Sequence, residues 1–469
     1  MNRRRSSEPQ LIGAVRQTRF RRYAGTVPTR MIGLVMLVAA FAFGCWGSNG
    51  PATATGTVAA GATSSASQGL RGAHVHVLGL WSGPEFDSFD AVKSAWEKET
   101  GAIVDWEGTN DLPGSLAGHT QAGDPPDIAI LPNLAVMEQL ADNGTLIALD
   151  SVLDMKEVTK DYPPAWIELG SHNGKLYGIF YKVTNKAAVW YNPKAFAAAG
   201  YTVPTTWNEM ITLADTIVAD GHSPFSVVAA SGPATGWALT DWISEIVLNK
   251  CGPDLYDQWI AAEIPWNHTC IKQSFDMFIN IVSTKGYVLG GSQRIVATGD
   301  DVGADPLYTD PPTAYLCYLP SFAQAFIAAS NPDLEPGPDY DVFKFPTIDP
   351  EYRGAATVGA DVPVMVSDTP AARSFMTYLA SARAQETWIE LGGFTSVNRS
   401  VSAETYLDPV ARTVAQALTG AEVTRFSAGD MMPPSLQRAW WAAMLDLVTD
   451  PSTVDSILDR LTAAAKGAR

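Results

Sequence analysis

Short apolar runs alternate with longer amphipathic segments along most of this chain, which is the pattern of an α/β protein. An apolar run at 74–80 comes first, and the segment 87–100 follows with Phe89, Val92 and Trp96 on one helical face. This part of the chain predicts strands at 74–80, 102–106 and 127–131 and helices at 87–100 and 134–143. Strands and helices in alternation indicate a mostly parallel sheet with helices on both faces.

The same alternation restarts in the second part of the chain. A helix over 206–220 begins with a capping box, in which the Thr206 hydroxyl and the Glu209 carboxylate satisfy backbone donors. Further strands are predicted at 176–181, 187–191, 225–229 and 341–346, and further helices at 193–199, at 242–248, from 370 and from 435. Because 469 residues exceed what one hydrophobic core supports, two or more lobes are expected.

The N-terminal segment has the composition of a targeting signal. Its apolar run at 31–44 follows a basic region and is shorter than the roughly 20 residues that span a membrane. A small residue directly before Cys45 resembles a bacterial lipobox, so 1–44 is predicted to be a signal peptide and Cys45 a lipidated N-terminus. An uncleaved anchor or ordinary secretory cleavage are the alternatives. Residues 45–72, rich in Gly, Ala, Ser and Thr, are predicted to be a flexible tether.

Charge is distributed unevenly along the chain. The whole sequence has a net charge of −17, but residues 1–44 carry eight Arg and one Glu, which leaves −24 on the remainder. A body this acidic argues against nucleic-acid binding and against a polybasic membrane surface, because both need clustered Lys and Arg. An acidic solvated surface that aids solubility is the expected consequence.

Three cysteines remain after Cys45 is assigned to the lipobox. Cys251 and Cys270 lie in one polar segment of a chain predicted to be exported, where disulfides are permitted, so we expect them to form a bridge. Two unrelated thiols are the alternative. Cys317 then has no partner and is predicted to be a buried small hydrophobic residue.

Three segments of the sequence resemble the extracellular solute-binding proteins of ABC sugar importers (family 1). The strongest is 174–214, which is similar to the hinge region of that family; 126–150 and 381–398 are similar to two other family runs, in the correct order. Gly108 to Leu112 and Phe426 to Pro433 look most like the α-glucoside and oligosaccharide binders. The resemblance implies a periplasmic-binding-protein-like α/β fold, whose two lobes hinge around an interlobe ligand cleft. The implied lobes are 73–182 plus 347–398 and 183–346 plus 399–469.

The resemblance also implies a binding function without catalysis. A lipid-anchored, monomeric protein at the outer face of the bacterial membrane would capture a small-molecule carbohydrate and deliver it to permease subunits, with no cofactor. The sequence is consistent with such a function, because it contains no HExxH, GxSxG, P-loop or strand-linked GxGxxG motif. His74 and His76 alternate along a strand and are interpreted as a solvated pair and not a metal site. A surface loop is the expected place for Asp300 and Asp301.

Candidate ligand contacts follow partly from position along the chain. Trp81 and Glu85 come directly after the first strand, and ligands of open α/β sheets bind just beyond strand C-termini. Aromatic planes suit the C–H faces of a sugar, and carboxylates suit its hydroxyls. The alternative to a ligand contact is that Trp81 covers the hydrophobic core. Asp111 follows the second strand and is expected either to bond a hydroxyl or to cap a helix.

The resemblance adds candidates from the hinge, the second lobe and the return strand. It implies Tyr181 and Lys182 at the crossover, Asp361 on the return strand and Phe394 closing the cleft. It also implies Trp237 and Trp242 near ligand in the second lobe, with a place in the core as the alternative for either Trp. Four other Trp residues lie on helical faces and are predicted to be core: Trp96, Trp388, Trp440 and Trp441.

Two other functions remain open at this point. The same fold could bind a polyol or a glycerol phosphodiester, for which Arg294, Arg353 and Arg399 are the available phosphate partners. A secreted glycan-processing enzyme would need paired carboxylates at glycosidase spacing, which a sequence does not exclude.

Overall fold

A computed structural model describes residues 69–419 and 423–468 of the chain. The predicted signal peptide, Cys45 and most of the predicted tether lie outside the described residues. Within the described ranges, no helix combines the length and the apolar character that crossing a bilayer requires.

Strands and helices alternate through the described chain. The strands are β1 (His74–Gly79), β2 (Ile103–Gly108), β3 (Ile128–Leu131), β4 (Ser171–His172), β5 (Lys175–Leu176), β6 (Lys182–Asn185), β7 (Ala188–Tyr191), β8 (Ser223–Ser226), β9 (Ala314–Tyr318), β10 (Asp341–Lys344), β11 (Ala355–Met365) and β12 (Val423–Phe426). The helices are α1 (Pro84–Thr100), α2 (Leu112–Ala122), α3 (Leu134–Asp142), α4 (Met155–Asp161), α5 (Pro164–Leu169), α6 (Pro193–Ala199), α7 (Trp207–Ala219), α8 (Trp237–Ile260), α9 (Thr269–Ser283), α10 (Gly291–Ala297), α11 (Ala323–Ser330), α12 (Pro370–Leu379), α13 (Ala382–Ile389), α14 (Pro409–Thr419), α15 (Pro434–Thr449) and α16 (Val454–Gly467).

The first sheet has the order β12-β11-β3-β1-β2, with β6 paired to β11 beside this path. Strand β1 runs parallel to both β2 and β3, whereas β11 runs antiparallel to β3 and β6 and parallel to β12. Its centre is apolar on both sides, since Ile128, Ala129, Ile130 and Leu131 are all buried. The mostly parallel sheet predicted from β1 to β3 is therefore observed, with one long antiparallel strand added.

A second sheet has the order β10-β7-β9-β8. Only its β8–β9 pair is parallel, and β7 runs antiparallel to both β9 and β10. Its core is extended by α8, α9 and α15, which bury three neighbouring indole rings, those of Trp259, Trp266 and Trp440. The two sheets and their helices give the mixed α/β architecture with two lobes that the sequence predicts.

Strands β6 and β11 join the two sheets. Ala355 and Ala356, at the start of β11, pack in the core of the second sheet, whereas Val358, Ala360, Val362 and Val364 pack in the core of the first. Residues 182–185 pair with β11, and the chain continues after two residues into β7 of the second sheet. The predicted boundaries assign 183–185 and 423–426 to the second lobe, but both segments pair with β11. A junction built from paired strands has no single boundary residue.

Most predicted elements are found within a few residues of their predicted ends, and the capping box is complete, since both reciprocal hydrogen bonds of Thr206 and Glu209 form. The strand predicted at 176–181 is wrong. Only β5 and an isolated bridge between Gly178 and Val364 form there, because the backbone N–H groups of Tyr177 and Gly178 both donate to the carbonyl of Gly170 and not to a neighbouring strand. Strand β9 was not predicted as an element of its own.

Helix α8 breaks its regular geometry at Gly252, where φ is +80° and Pro253 follows. A Cβ at this position would lie 2.5 Å from the ring of Tyr352, so a side chain is excluded by both conformation and space. The structure joins Cys251, just before the break, to Cys270 at the start of α9 by a disulfide. Cys317 is a buried free thiol in β9.

A buried carboxylate ties α8 to the joining strand β11. Glu245 is fully buried; its Oε2 accepts a hydrogen bond of 2.8 Å from the backbone N–H of Thr357, and its Oε1 accepts one of 2.8 Å from Asn249. Burial raises the pKa of Glu245 to about 7, although the Thr357 hydrogen bonds act in the opposite direction. The group therefore favours its protonated form in the folded protein over a range where the unfolded chain is ionised.

This raised pKa predicts how stability depends on pH. Between about pH 4.5 and 7 the folded state retains a proton on Glu245 that the unfolded chain has released, so this carboxyl makes the free energy of unfolding fall as pH rises. We expect the wild type to lose about 3 kcal/mol more than Glu245→Gln across that window. Urea unfolding at several pH values measures this difference, with the exposed Glu168→Gln as the matched control. Parallel profiles for wild type and Glu245→Gln would contradict the assignment.

Candidate functional site

A cavity of about 550 Å³ opens at the junction of the two sheets. From the side of the first sheet it is lined by residues that follow β1, β2 and β3: Trp81, Ser82, Glu85, Asn110, Asp111, Leu112, Pro113, Pro132 and Asn133. From the second side it is lined by Ala230 to Ala234, Trp237, Asp300, Asp301, Phe322, Phe326, Gln437, Arg438 and Trp441. Lys182, Thr184 and Lys186, together with Gly359 to Asp361 and Asp430, line it where the sheets join.

The first side of the cavity is a consequence of the parallel strands. Because β1, β2 and β3 run in the same direction, their carboxyl ends meet at one edge of the sheet, and the loops that follow them converge there. Asn133 shows how such a loop is held: its side chain caps α3 by accepting from Val136 N–H, and its amide donates to the carbonyls of Gly429 and Met432. This residue thereby links the two sides of the cavity.

Lys182 lies at the base of the cavity and is 1% exposed. Its ammonium forms a close ion pair with Glu85 of α1 and lies 3.8 Å from Asp361 Oδ2 of β11. The indole N–H of Trp81 donates to the same Asp361 oxygen at 2.8 Å. Burial raises the pKa of Asp361, and the Lys182 charge opposes that rise. The lysine charge is thus matched by two carboxylates of the protein itself.

Lys186 forms a second network four residues further along the chain. Its ammonium donates to Asp241 Oδ1 at 3.0 Å and to Asp430 Oδ2 at 2.7 Å, and Ser427 Oγ donates to the same Asp241 oxygen at 2.7 Å. Burial alone would lower the pKa of Lys186, but the two carboxylates outweigh it and hold the pKa above its usual range. A Cβ on Gly359 would lie 2.6 Å from Lys186 Cε, so a larger residue there would displace the lysine from its two carboxylates.

Acidic groups outnumber the remaining basic ones around the cavity. Burial, assisted by the charges of Asp301 and Glu85, raises the pKa of Asp300 to about 6. With both lysines paired, Arg438 is the lining cation outside the two lysine networks, and its side chain is exposed.

Aromatic faces line the second side of the cavity. Trp237, at the start of α8, is half-buried, and its ring centroid lies 5.9 Å from that of Phe322. The ammonium of Lys186 lies 5.7 Å from the Trp237 centroid, and Phe326 extends the group through Phe322. Trp441 of α15 is half-buried and also lines the cavity. Apolar planes therefore face carboxylate and amide oxygens across one space.

Several predicted site residues lie together at this cavity. Glu85, Lys182, Trp237 and Asp361 line it, and so does Trp81, which is only 2% exposed because it stacks on Trp106 and belongs to the core as well. Asp111 caps a helix, whereas its bond to a ligand hydroxyl stays a prediction. It lines the cavity, and its Oδ1 accepts from Gly114 N–H as the cap of α2.

The predicted cleft position is wrong for three residues. Trp242 packs between Phe225, Tyr318 and Phe345 in the core of the second sheet. Tyr181 and Phe394 pack edge-to-face against each other, are 0% and 2% exposed, and do not line the cavity. The Tyr181 hydroxyl is buried without a hydrogen-bond partner among the described residues.

Other residues that line the cavity were not predicted from the sequence to do so. Trp441 was predicted to be core, as Trp96, Trp388 and Trp440 are. Asp300 and Asp301 lie in a turn, as expected, but their place at the cavity was not predicted. Lys186, Asp430, Phe322 and Phe326 were not singled out. The proximity of Lys186 to the predicted crossover was the one available signal, since a lysine in such an apolar segment needs buried partners.

Comparison with known proteins places these features in a family. Residues 81–386 match the model of the bacterial extracellular solute-binding proteins. The chain is 35% identical over 377 residues to the osmoprotective compounds-binding protein GgtB of Synechocystis sp., covering 80% of this chain and 88% of GgtB. It is 31% identical over 397 residues to the alpha-glucosides-binding periplasmic protein AglE of Rhizobium meliloti, covering 82% of this chain and 86% of AglE.

Solved structures agree on the fold. The bacterial solute receptor AcbH, described as having an exclusive preference for β-D-galactopyranose, superposes with a TM-score of 0.75 at 19% identity, covering 84% of this chain and 99% of AcbH. A chitin oligosaccharide binding protein superposes with a TM-score of 0.74 at 17% identity, covering 85% of this chain and 99% of that protein. At these identities the likeness establishes the architecture alone.

The Lys186 network predicts a large loss of stability when the lysine charge is removed. Lys186→Met leaves Asp241, which is 2% exposed, without its cationic partner, so we expect the free energy of unfolding to fall by about 3–5 kcal/mol. Adding Asp241→Asn should recover part of the loss. Urea unfolding followed by tryptophan fluorescence measures both changes. Lys160→Met, which removes an exposed ion pair with Glu157, is the control and should leave the midpoint unchanged. A Lys186→Met protein as stable as the wild type would contradict the network.

Proposed function

The chain belongs to the family of bacterial extracellular solute-binding proteins, and from that premise we propose that it captures a neutral carbohydrate, an oligosaccharide such as an α-glucoside, for an ABC importer. The family predicted from the sequence is thereby confirmed. The relationship to AglE, whose name records α-glucosides, supports this class of ligand.

One observation carries the proposal. Trp237, Phe322 and Trp441 present aromatic planes to a cavity whose other side offers the oxygens of Glu85 and Asp111. A sugar ring has C–H faces that pack on aromatic planes and a rim of hydroxyls that need acceptors, so it can satisfy both sides at once. The cavity volume of about 550 Å³ falls within the roughly 300–1,000 Å³ of small-molecule sites.

The charge of the cavity supports a ligand without negative charge. Lys182 and Lys186 are each paired with two carboxylates, and the further lining carboxylates Asp111, Asp300 and Asp301 outnumber the exposed Arg438. A phosphodiester would need unpaired Arg groups or a helix N-terminus. Of the three arginines considered for that role, Arg294, Arg353 and Arg399, all are exposed and none is among the lining residues.

Capture would proceed by closure of the two lobes over the ligand. Strands β6 and β11 are the connection about which closure would occur, and contacts from both sides of the cavity would bias the closed state. The closed form would then dock on permease subunits at the outer face of the membrane. Lipidation of Cys45, the monomeric state and the lobe boundaries stay predictions.

A second ligand class is favoured by the 35% identity to GgtB, whose name records osmoprotective compounds. Among osmoprotective compounds, those that are small, neutral and polyhydroxylated would share the hydroxyl chemistry of sugars but bury less aromatic surface. A panel containing both classes distinguishes them, because the preferred class gives the larger rise in melting temperature at equal concentration.

Catalysis is not part of the proposed function. The matched relatives are named as binding proteins, and the carboxylates Glu85 and Asp361 are each held by Lys182. Prolonged incubation with a bound oligosaccharide should therefore produce no new reducing ends. Their appearance at a rate above that of buffer would require a glycosidase activity.

Removal of the cavity aromatics should weaken binding. We expect one or more members of an oligosaccharide panel that includes α-glucosides to raise the melting temperature of the purified chain, by mass action on the folded state. Trp237→Ala and Trp441→Ala should each reduce the affinity of the best ligand at least tenfold in isothermal titration calorimetry, because each removes a plane on which the sugar packs.

Trp166→Ala is the matched control, because Trp166 is half-buried like Trp237, packs on Phe180 and does not line the cavity. Its affinity should equal that of the wild type. A panel that leaves the melting temperature unchanged would contradict the proposed ligand class. Equal losses for Trp166→Ala and Trp237→Ala would contradict the proposed site.

A further inference from the structure

Three side chains from three different elements meet on the first sheet, outside the cavity. His76 belongs to β1, Glu107 to β2 and His119 to α2. His76 Nε2 lies 3.3 Å and His119 Nε2 lies 2.9 Å from the same oxygen, Glu107 Oε2. One potential ligand atom from each residue lies within 4.8 Å of the other two. Two imidazoles and a carboxylate therefore converge on one point.

The fold brings these groups together in a defined way. In the parallel β1–β2 pair, Leu78 is aligned with Glu107 and His76 with Asp105, so His76 and Glu107 are diagonal neighbours on one face. Helix α2 packs Leu112 and Leu116 in the same core cluster as Leu78. His119 follows at the next position of that helical stripe and so lies above the strands.

We propose that His76, Glu107 and His119 bind a divalent transition-metal ion, with zinc as the expected ion. Imidazole nitrogen and carboxylate oxygen are ligands that zinc prefers, and three such ligands leave a position for water. Zinc bonds of about 2.0–2.1 Å place ligand atoms of a tetrahedral site roughly 3.3 Å apart. Two of the three separations are already near that value.

The arrangement differs from an ordinary surface ion pair. His74 with Asp105 and His172 with Asp142 are ion pairs of a single histidine with a carboxylate, each at 2.7 Å. At Glu107, two histidines share a single carboxylate oxygen, and a cation between the three groups would be coordinated by all three. The side chains are 27%, 40% and 27% exposed, so an ion has access from solvent.

The ion would fasten α2 to both strands. Helix α2 begins at the cavity, where Leu112 and Pro113 are lining residues, whereas His119 lies two turns further along the helix. Bound zinc would therefore hold a wall of the cavity to the sheet without contacting the ligand. Since zinc would bind the folded chain through groups that the fold assembles, it should raise the melting temperature.

Isothermal titration calorimetry of zinc chloride into the untagged, EDTA-dialysed full chain tests the site. We expect one zinc ion per chain in the strongest phase and no comparable binding of magnesium, which prefers oxygen ligands. His76→Ala, Glu107→Gln and His119→Ala should each weaken that phase at least tenfold and abolish the zinc-dependent rise in melting temperature. His172→Ala removes a histidine from a simple pair and should bind zinc as the wild type does.

Other outcomes would overturn the proposal. Absence of a strong zinc phase in the wild type would mean that the cluster is a pair of hydrogen-bonded histidines only. An equal loss in His172→Ala, or none in His119→Ala, would locate the zinc elsewhere. Melting curves recorded without zinc identify any variant that fails to fold. Zinc binding by the other two ligand variants then tests the site. Failure of zinc binding would leave the sugar-binding proposal untouched, because none of the three residues lines the cavity.

Discussion

Two buried lysines, four residues apart beside the strand that joins the two sheets, constrain the rest of the site. Lys182 is 1% exposed and Lys186 is 7% exposed, and an ammonium taken this far out of water is tolerated only when carboxylates and hydrogen bonds replace its hydration. Each lysine has two such partners, Glu85 and Asp361 for the first, Asp241 and Asp430 for the second. The partners come from α1, β11, α8 and the turn after β12, so the junction is held from several directions.

This internal pairing determines what the cavity offers to a ligand. The charges of Lys182 and Lys186 are used within the protein, and apart from the exposed Arg438 the groups left facing the space are aromatic rings together with carboxylate and amide oxygens. Such a surface favours a neutral polyhydroxylated molecule, since an anion would meet uncompensated negative charge in a partly desolvated site. The same pairing fixes the strands about which closure would occur, so that ligand recognition and lobe movement would share one structural element.

The sequence predicts the elements better than it predicts the site, because elements follow from local signals and the site from tertiary packing. The capping box at Thr206 specifies a helix start by itself. Trp237 and Trp242, by contrast, lie five residues apart on α8, which turns the second ring by roughly 140° away from the first, into the core. A comparable turn of about 100° separates buried Trp440 from the cavity residue Trp441. The partners of Lys186 are about 55 and 244 residues away, beyond any periodic pattern.

The salt dependence of affinity tests most directly whether the protein neutralises its own lysines and binds a neutral ligand. The measurement is isothermal titration calorimetry, at low and at high sodium chloride, with whichever member of a panel of neutral sugars and glycerol phosphodiesters stabilises the chain most. The internal pairing predicts a dissociation constant that changes less than about twofold, since screening acts on charge–charge attraction between ligand and protein. A dissociation constant that rises tenfold or more with salt would mean that a lysine or arginine binds a ligand anion, and would contradict the account.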